Sequence, residues 1–514
     1  MNDAEGQREL DPVDSPLEMT AEEFRALGHR LVDRLAAFLE SVPSRPGAPD
    51  LTAAEARARV GSDPLPQEGA PAEALLDSAA ELLMDGCRLN GHPRSWGYVI
   101  GTPAPVAILA DFLAVTVNPN MAAWHSAPVP AEIELQAVRW IAEFLGYPAD
   151  CGGLLVSGGN MANFVGVLAA RRARADWDLR REGLAAPEGK RLTLYASRET
   201  HTWIEKAADL FGLGTEAIRW IETDAARRMD TAALRATLAA DTRAGLRPFL
   251  LVGSAGTVST GAVDPLPELA EIARAHDLWF HVDGAYGAPA VAAQGLVPED
   301  LATPDLAGLR LADSLAVDAH KWLFVPLEAG CALVRDRRAL HDTFSYRPPY
   351  YHYRDVGDEV VHFHEYGPQN SRACRALKVW LTLRRVGARH YAETIARNLR
   401  QSRRMAEILA GQADFETATQ SLSIATFRYL PRDLRGRSDG PAADYLDRLN
   451  TELLMRAQRG QPLFLSNAIL DGRFFLRACI TNFRTRESDL AALPELLRPI
   501  GEELDCALRP AELR

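Results

Sequence analysis

From residue 151 to residue 287, short apolar runs alternate with helical patterns, and no other feature limits the fold as tightly. The strand-like CGGLLV is followed by a helical stretch NMANFVGVLAARRARADW. RLTLYAS, TWIEKAADLFGLG, AIRWIET, TAALRATLAADTRAG, RPFLLVGSAG, LPELAEIARAHD and WFHVDGAYG then take turns. Continuous apolar strands separated by amphipathic helices imply an α/β layer architecture with a largely parallel sheet buried on both faces. In such sheets the working residues sit in loops at the carboxyl ends of the strands. His201, Thr257, Asp283 and Lys321 each lie at or just after such an end.

Lys321 stands out within LADSLAVDAHKWLFVPLEAG, an apolar run that Pro326 and Gly330 end. Burial disfavours the charged form of a lysine and favours the nucleophilic amine, which can hold a carbonyl compound as an imine. Of the 57 basic residues only Lys190, Lys206, Lys321 and Lys378 are lysines. A chain that otherwise uses arginine makes each lysine a candidate for chemistry that a permanently charged guanidinium cannot do.

A second motif precedes the first long helix of the alternation. Ser157, Gly158, Gly159 and Asn160 join a strand to a helix, where free backbone N–H groups and the helix dipole favour an anion such as phosphate. The turn lacks the lysine of a nucleoside-triphosphate loop and the GxGxxG spacing of a dinucleotide site, and neither of those readings is favoured.

Bulk properties narrow the function. The net charge of −12 and the pI near 5.6, with no basic block, argue against nucleic acid as a partner. No apolar run approaches the ~18–20 residues that span a bilayer, and the acidic N-terminus shows no signal-peptide pattern, so a cytoplasmic protein without a membrane partner is expected. Cys87, Cys151, Cys331, Cys374, Cys479 and Cys506 form no CxxC pair and imply neither disulfides nor a zinc site.

Residues 1–18 read as a loose tail. Thr20 and Glu23 form a capping box ahead of a helix whose Phe24, Leu27, Leu31, Leu35, Phe38 and Val42 make one apolar stripe. The Pro- and Gly-rich stretch from Ser44 to Glu73 reads as an extended connection, which favours laying that stripe against a second subunit. Two loops carry Trp96 and Tyr98, and Trp124 and His125, aromatic residues suited either to packing or to lining a pocket for a flat substrate. Residues 341–366, dense in Tyr and His, read as a functional loop. The spacing of His341, His352, His362 and His364 matches no ligand pair, and no metal is expected. Beyond Arg375 a long helix, strands within TQSLSIATFRYL and GRFFLRACITNF, and closing helices read as a separate α+β domain.

SGGN, THTWIEKAADLFGLG, HVDGAYGAP and DAHKWLF occur in that order. Over residues 20–510 the chain resembles the group II amino-acid decarboxylases, a pyridoxal-phosphate-dependent family that includes the aromatic-L-amino-acid enzymes. The resemblance implies an aminotransferase-like fold type I, with a mostly parallel seven-stranded sheet and an N-terminal segment exchanged across a homodimer. The implied division is a tail (1–18), an N-terminal helical dimerisation segment (19–95), a large cofactor domain (96–375) with a catalytic loop at about 341–366, and a small α+β domain (376–514).

It further implies that Lys321 carries the cofactor, and that His320, Gly158, Gly159 and Asn160 reach its phosphate. Asp283 pairs with the pyridinium nitrogen, keeping the ring an electron sink. His201 stacks on the ring, Thr257 and Ala285 pack nearby, and Asn370 and Ser371 reach the partner subunit's cofactor. Tyr350 matches the loop acid, with Tyr346, Tyr351 and Tyr353 close in register. Two positions depart from the family: Asp318 stands where the mammalian aromatic enzyme has Asn, and Ala122 replaces a bulky aromatic. The implied activity is conversion of an L-amino acid, aromatic by expectation, to its amine and carbon dioxide. Rivals on the same fold are an aldehyde synthase and an aminotransferase; a rival of another class is a silent dimeric scaffold.

Overall fold

The computed structural model describes residues 17–184, 191–347, 360–437 and 440–513. Seven strands form the central sheet: β1 (Gly152–Val156), β2 (Leu192–Ser197), β3 (Ile218–Ile221), β4 (Arg247–Ser254), β5 (Trp279–Asp283), β6 (Ser314–Asp318) and β7 (Gly330–Val334). Their spatial order is β1-β7-β6-β5-β4-β2-β3. From β6 to β3 every neighbour is parallel, while β7 runs antiparallel to both β6 and β1. All residues of β2, β6 and β7 are buried, which is why these strands read as unbroken apolar runs. The sequence reading treats the run through Lys321 as ending at Gly330. In the structure the chain turns over residues 319–329 and returns as β7, a strand that periodicity cannot separate from the apolar stretch before it.

The N-terminal segment holds three helices, α1 (Ala21–Ser41), α2 (Ala53–Val60) and α3 (Ala72–Gly86). The Thr20–Glu23 capping box forms as read. α2 corrects the extended connection: Thr52 and Glu55 make a second capping box, and two helical turns form between the prolines. Neither α1 nor α2 buries a single residue, and α3 buries only Ala80. Phe24 and Leu35 on α1, and Leu75 and Leu83 on α3, remain exposed.

Three further helices lead into and flank the sheet: α4 (Pro105–Val117), α5 (Pro128–Phe144) and α6 (Gly159–Arg174). α6 lies tightly on β5, since a Cβ at Gly166 would meet the His281 ring at 2.6 Å. The small unit has a four-stranded antiparallel sheet of β8 (Phe415–Ser421), β9 (Ile424–Tyr429), β10 (Ser466–Leu470) and β11 (Arg473–Cys479), in the order β10-β11-β9-β8. TQSLSIATFRYL is therefore a hairpin, turned at Leu422 with φ 46°. Residues 94–98 belong with this unit: Trp96 N–H donates to the Phe464 carbonyl, and the Trp96 carbonyl accepts from Cys479 N–H. The helix Ala376–Ala410, interrupted at Gly387 (φ 74°), spans both units.

One buried ion pair secures the approach to that helix. Arg372 and Glu134 are wholly buried and bonded to each other; Glu134 Oε1 also accepts Leu155 N–H at 2.8 Å, and Arg372 donates to the Leu155 carbonyl at 2.6 Å. Removing one partner leaves an uncompensated charge. Glu134→Leu or Arg372→Met alone should cost about 3–5 kcal/mol, and the double variant less than the sum, as read from urea-unfolding midpoints.

Candidate active site

Parallel pairing aligns the carboxyl ends of β4, β5 and β6, and a cavity of ≈ 350 Å³ opens there. The turn Ser157–Asn160 borders it from the N-terminus of α6, with Gly158 at φ +85° as the capping residue. His201 follows β2, Thr257 follows β4, Asp283 ends β5 with Ala285 just beyond it, and Asp318 ends β6 with His320 and Lys321 just beyond it; all line the same space. Gly158, Gly159 and Asn160 line it too.

Lys321 is fixed through its backbone. Its N–H donates to the Asp318 carbonyl at 3.0 Å, and the neighbouring His320 carbonyl accepts Gly101 N–H at 2.9 Å. A Cβ on Gly101 would lie 2.0 Å from the Lys321 carbonyl, so only glycine allows this strap to approach. The adjacent Trp322 stacks on Tyr286 at 4.9 Å, and Tyr286 hydroxyl bonds Ser423 at 2.6 Å, tying the cavity wall to the small unit. Lys206 lies exposed on the helix Trp203–Leu210, and Lys378 pairs with Asp111 at 3.0 Å. Among the described residues Lys321 is the one lysine lining the cavity.

Trp203 organises the acid and the ring-stacking candidate together. Its indole N–H donates to Asp283 Oδ2 at 2.7 Å, while its backbone N–H donates to His201 Nδ1 at 3.2 Å. Asp283 Oδ1 accepts Ala285 N–H at 3.2 Å. Because His201 Nδ1 accepts, a neutral ring carries its proton on Nε2. Desolvation lowers the His201 pKa; Asp283 opposes this, and the positive charges of Lys321 and Lys206 add to it, so the imidazole is neutral at pH 7. Asp318 is buried, which works against its charged form, yet the His320 hydrogen bond and charge, Lys321 and the Gly159 amide hold its carboxyl below the ordinary value.

Other expectations fall elsewhere. Trp96 is wholly buried in the core of the small unit, its indole donating to Thr485 Oγ1 at 3.1 Å, so it packs that core and is not available to a substrate here. Tyr98 is largely exposed, against Phe464 and under the Arg88 guanidinium. Trp124 donates to Glu132 at 2.9 Å, and His125 lies 5.5 Å from the His362 ring. None of these four lines the cavity of Lys321, and Ala122 does not either. Asn370 and Ser371 are exposed and outside it. Tyr350, Tyr351, Tyr353 and His352 lie outside the described residues, and Tyr346 is exposed beneath Arg180. Sequence reading missed Gly101 and Trp203. For Gly101 the signal lay in the aromatic loop 92–105, where a small residue, not an aromatic one, makes the contact.

The residues fit a phosphorylated pyridine aldehyde. Helix amides at a glycine turn suit its phosphate, a carboxylate oriented by an indole suits its ring nitrogen, and a single lysine suits its aldehyde. A cavity so built at the carboxyl edge of a mostly parallel sheet places the protein among enzymes that hold pyridoxal phosphate on a lysine. The model of the pyridoxal-dependent decarboxylase conserved domain matches residues 56–430, and the chain belongs to that family.

It is 31% identical over 490 residues to the aromatic-L-amino-acid decarboxylase of Bacillus atrophaeus, covering 95% of this chain and 97% of that protein. To tryptophan decarboxylase 2 of Oryza sativa it is 28% identical, covering 93% and 95%. The solved structure of Oryza sativa TDC with PLP and tryptamine superposes with a TM-score of 0.85 at 27% identity, covering 95% of this chain and 99% of that one. The protein is a pyridoxal-phosphate-dependent amino-acid decarboxylase.

Trp203→Phe keeps the packing and deletes the bond to Asp283, a charge-assisted contact worth about 1.5–3 kcal/mol. Turnover should fall roughly ten-fold or more at unchanged KM, with the absorption band of the bound cofactor shifted. A variant with wild-type kcat and spectrum refutes the role.

Proposed function

We propose that the chain converts an aromatic L-amino acid to its amine and carbon dioxide, acting as a cytoplasmic homodimer. The observation that carries the chemistry is the convergence of Lys321, Asp283 and the Gly158–Asn160 turn on one cavity. When bound, pyridoxal phosphate supplies an electron sink for the pair left as the carboxylate departs. The chain's own groups do the rest. Lys321, the one lysine lining the cavity among the described residues, would hold the cofactor's aldehyde carbon and offer an amine beside it. Asp283, oriented by the Trp203 indole N–H, would pair with the ring nitrogen. Neutral His201 offers a flat ring face without adding positive charge against that nitrogen. The aromatic substrate class is supported by relatives named for aromatic amino acids, such as the Bacillus atrophaeus and Oryza sativa enzymes.

Dimer formation is supported by the apolar faces the chain leaves uncovered. Leu109, Phe112, Leu113, Val115 and Val117 on α4 are exposed, as are Phe24 and Leu35 on α1 and Leu75 and Leu83 on α3. A second subunit is the simplest cover for this much apolar surface. No helix among the described residues is long and apolar enough to cross a membrane.

Carbon dioxide release assayed against the twenty amino acids, with amine, aldehyde and keto-acid products identified, tests the activity. Amine from tryptophan, tyrosine, phenylalanine or dihydroxyphenylalanine is expected; aldehyde or keto acid as the main product refutes it. Lys321→Ala should lose the cofactor's visible band and nearly all turnover, whereas Lys206→Ala should keep both; the reverse outcome moves the anchor. Phe24→Asp combined with Leu35→Asp should convert a dimer to a monomer in sedimentation velocity.

A further inference from the structure

A carboxylate inside a phosphate cradle is an electrostatic contradiction. Asp318 is buried at the end of β6, and both of its oxygens are engaged: Oδ2 accepts Gly159 N–H at 2.6 Å, and Oδ1 meets His320 Nδ1 at 2.6 Å. An ionised carboxylate and a phosphate are both acceptors and cannot hydrogen-bond each other. Nor does Asp318 leave the Gly159 amide for a phosphate, since it takes that donor itself. What resolves the contradiction is His320. Its Nδ1 donates to Asp318, and among the described residues no protein group bonds its Nε2. A neutral ring with its proton on Nδ1 presents a lone pair at Nε2, which repels an anion; the doubly protonated ring presents a donor.

We propose that Asp318 is a positioning residue: it holds His320 in the doubly protonated form, with Nε2–H available to the cofactor phosphate, and does not bind the phosphate itself. The aspartate–imidazolium pair is neutral overall and replaces a repulsive carboxylate with a charge-assisted donor. Other charged or titratable groups around the pair are Lys321 beside it, His201 after β2, Asp283 on β5 and Cys331 on β7. His201 is neutral and burial pushes the Cys331 thiol well up, leaving Asp318 as the anion bonded to His320. The α6 turn contributes only Ser157, Gly158, Gly159 and Asn160, none of which titrates.

The inference rests on the cavity being the pyridoxal phosphate site, and the test separates the two. Dissociation constants of apoprotein for pyridoxal phosphate and for pyridoxal, which lacks the phosphate, are measured by absorbance from pH 6 to 9. Failure of the wild type to bind pyridoxal phosphate refutes the site. With the site intact, Asp318→Asn should weaken pyridoxal phosphate roughly ten-fold or more at pH 8, and less at pH 6 where an ordinary histidine, pKa about 6.5, is itself charged. Pyridoxal affinity should change little. His320→Gln should abolish the pH step, and in that background Asp318→Asn should tighten pyridoxal phosphate, because a carboxylate without the imidazolium only repels it. If Asp318→Asn tightens binding while His320 itself is unchanged, or weakens both ligands equally at every pH, the proposal is overturned.

Discussion

Parallel pairing of β4, β5 and β6 is the constraint on which the site depends. Its register sets Ser254 against Asp283 and Asp283 against Ala316, so the strand ends reach one edge within a residue or two of each other. Side chains far apart in sequence then share a wall without any of them being placed by its own loop. The antiparallel return of β7 completes the arrangement by pairing Asp318 with Gly330. A Cβ on Gly330 would lie 2.2 Å from the Gly158 carbonyl, so glycine there allows the phosphate turn to close against the sheet.

Charged groups at and near this edge are met by partners. Asp283 is met by an indole N–H, Asp318 by an imidazole and an amide, and Arg372 by Glu134. Each pairing satisfies a group that would otherwise cost several kcal/mol to desolvate. The same pairings fix orientation, because a carboxylate with both oxygens engaged cannot rotate. Stability and preorganisation are in this sense one property of the site.

The small unit contributes beyond its own core. Ser423, in the turn between β8 and β9, bonds Tyr286 of the cavity wall, and Tyr391 on the long helix donates to the Leu323 carbonyl at 2.9 Å, two residues after Lys321. Gly101, from the strap that crosses between the units, bonds the carbonyl before the lysine. The residues on either side of the lysine, His320 and Leu323, and the cavity wall at Tyr286 are thereby held by segments far apart in the linear order.

Much was legible in the sequence because its signals are local. Alternating periodicity implied the parallel α/β sheet; the glycine turn, scarce lysines and DAHKW run marked the residues that do line one cavity; Thr20 and Glu23 marked a helix start. What stayed illegible needed distance. Trp96 and Tyr98 look like Trp203 in a linear reading, since all are aromatic residues beside functional motifs. Only the packing sends Trp96 into the small-unit core and Trp203 to Asp283. Gly101 carries no side-chain signal at all, and β7 is hidden within a longer apolar stretch. Sequence determined which chemistries were present and which elements carried them; tertiary structure decided which groups meet, because hydrogen bonds and steric exclusion act through space over a few ångströms and periodicity along the chain does not encode those distances.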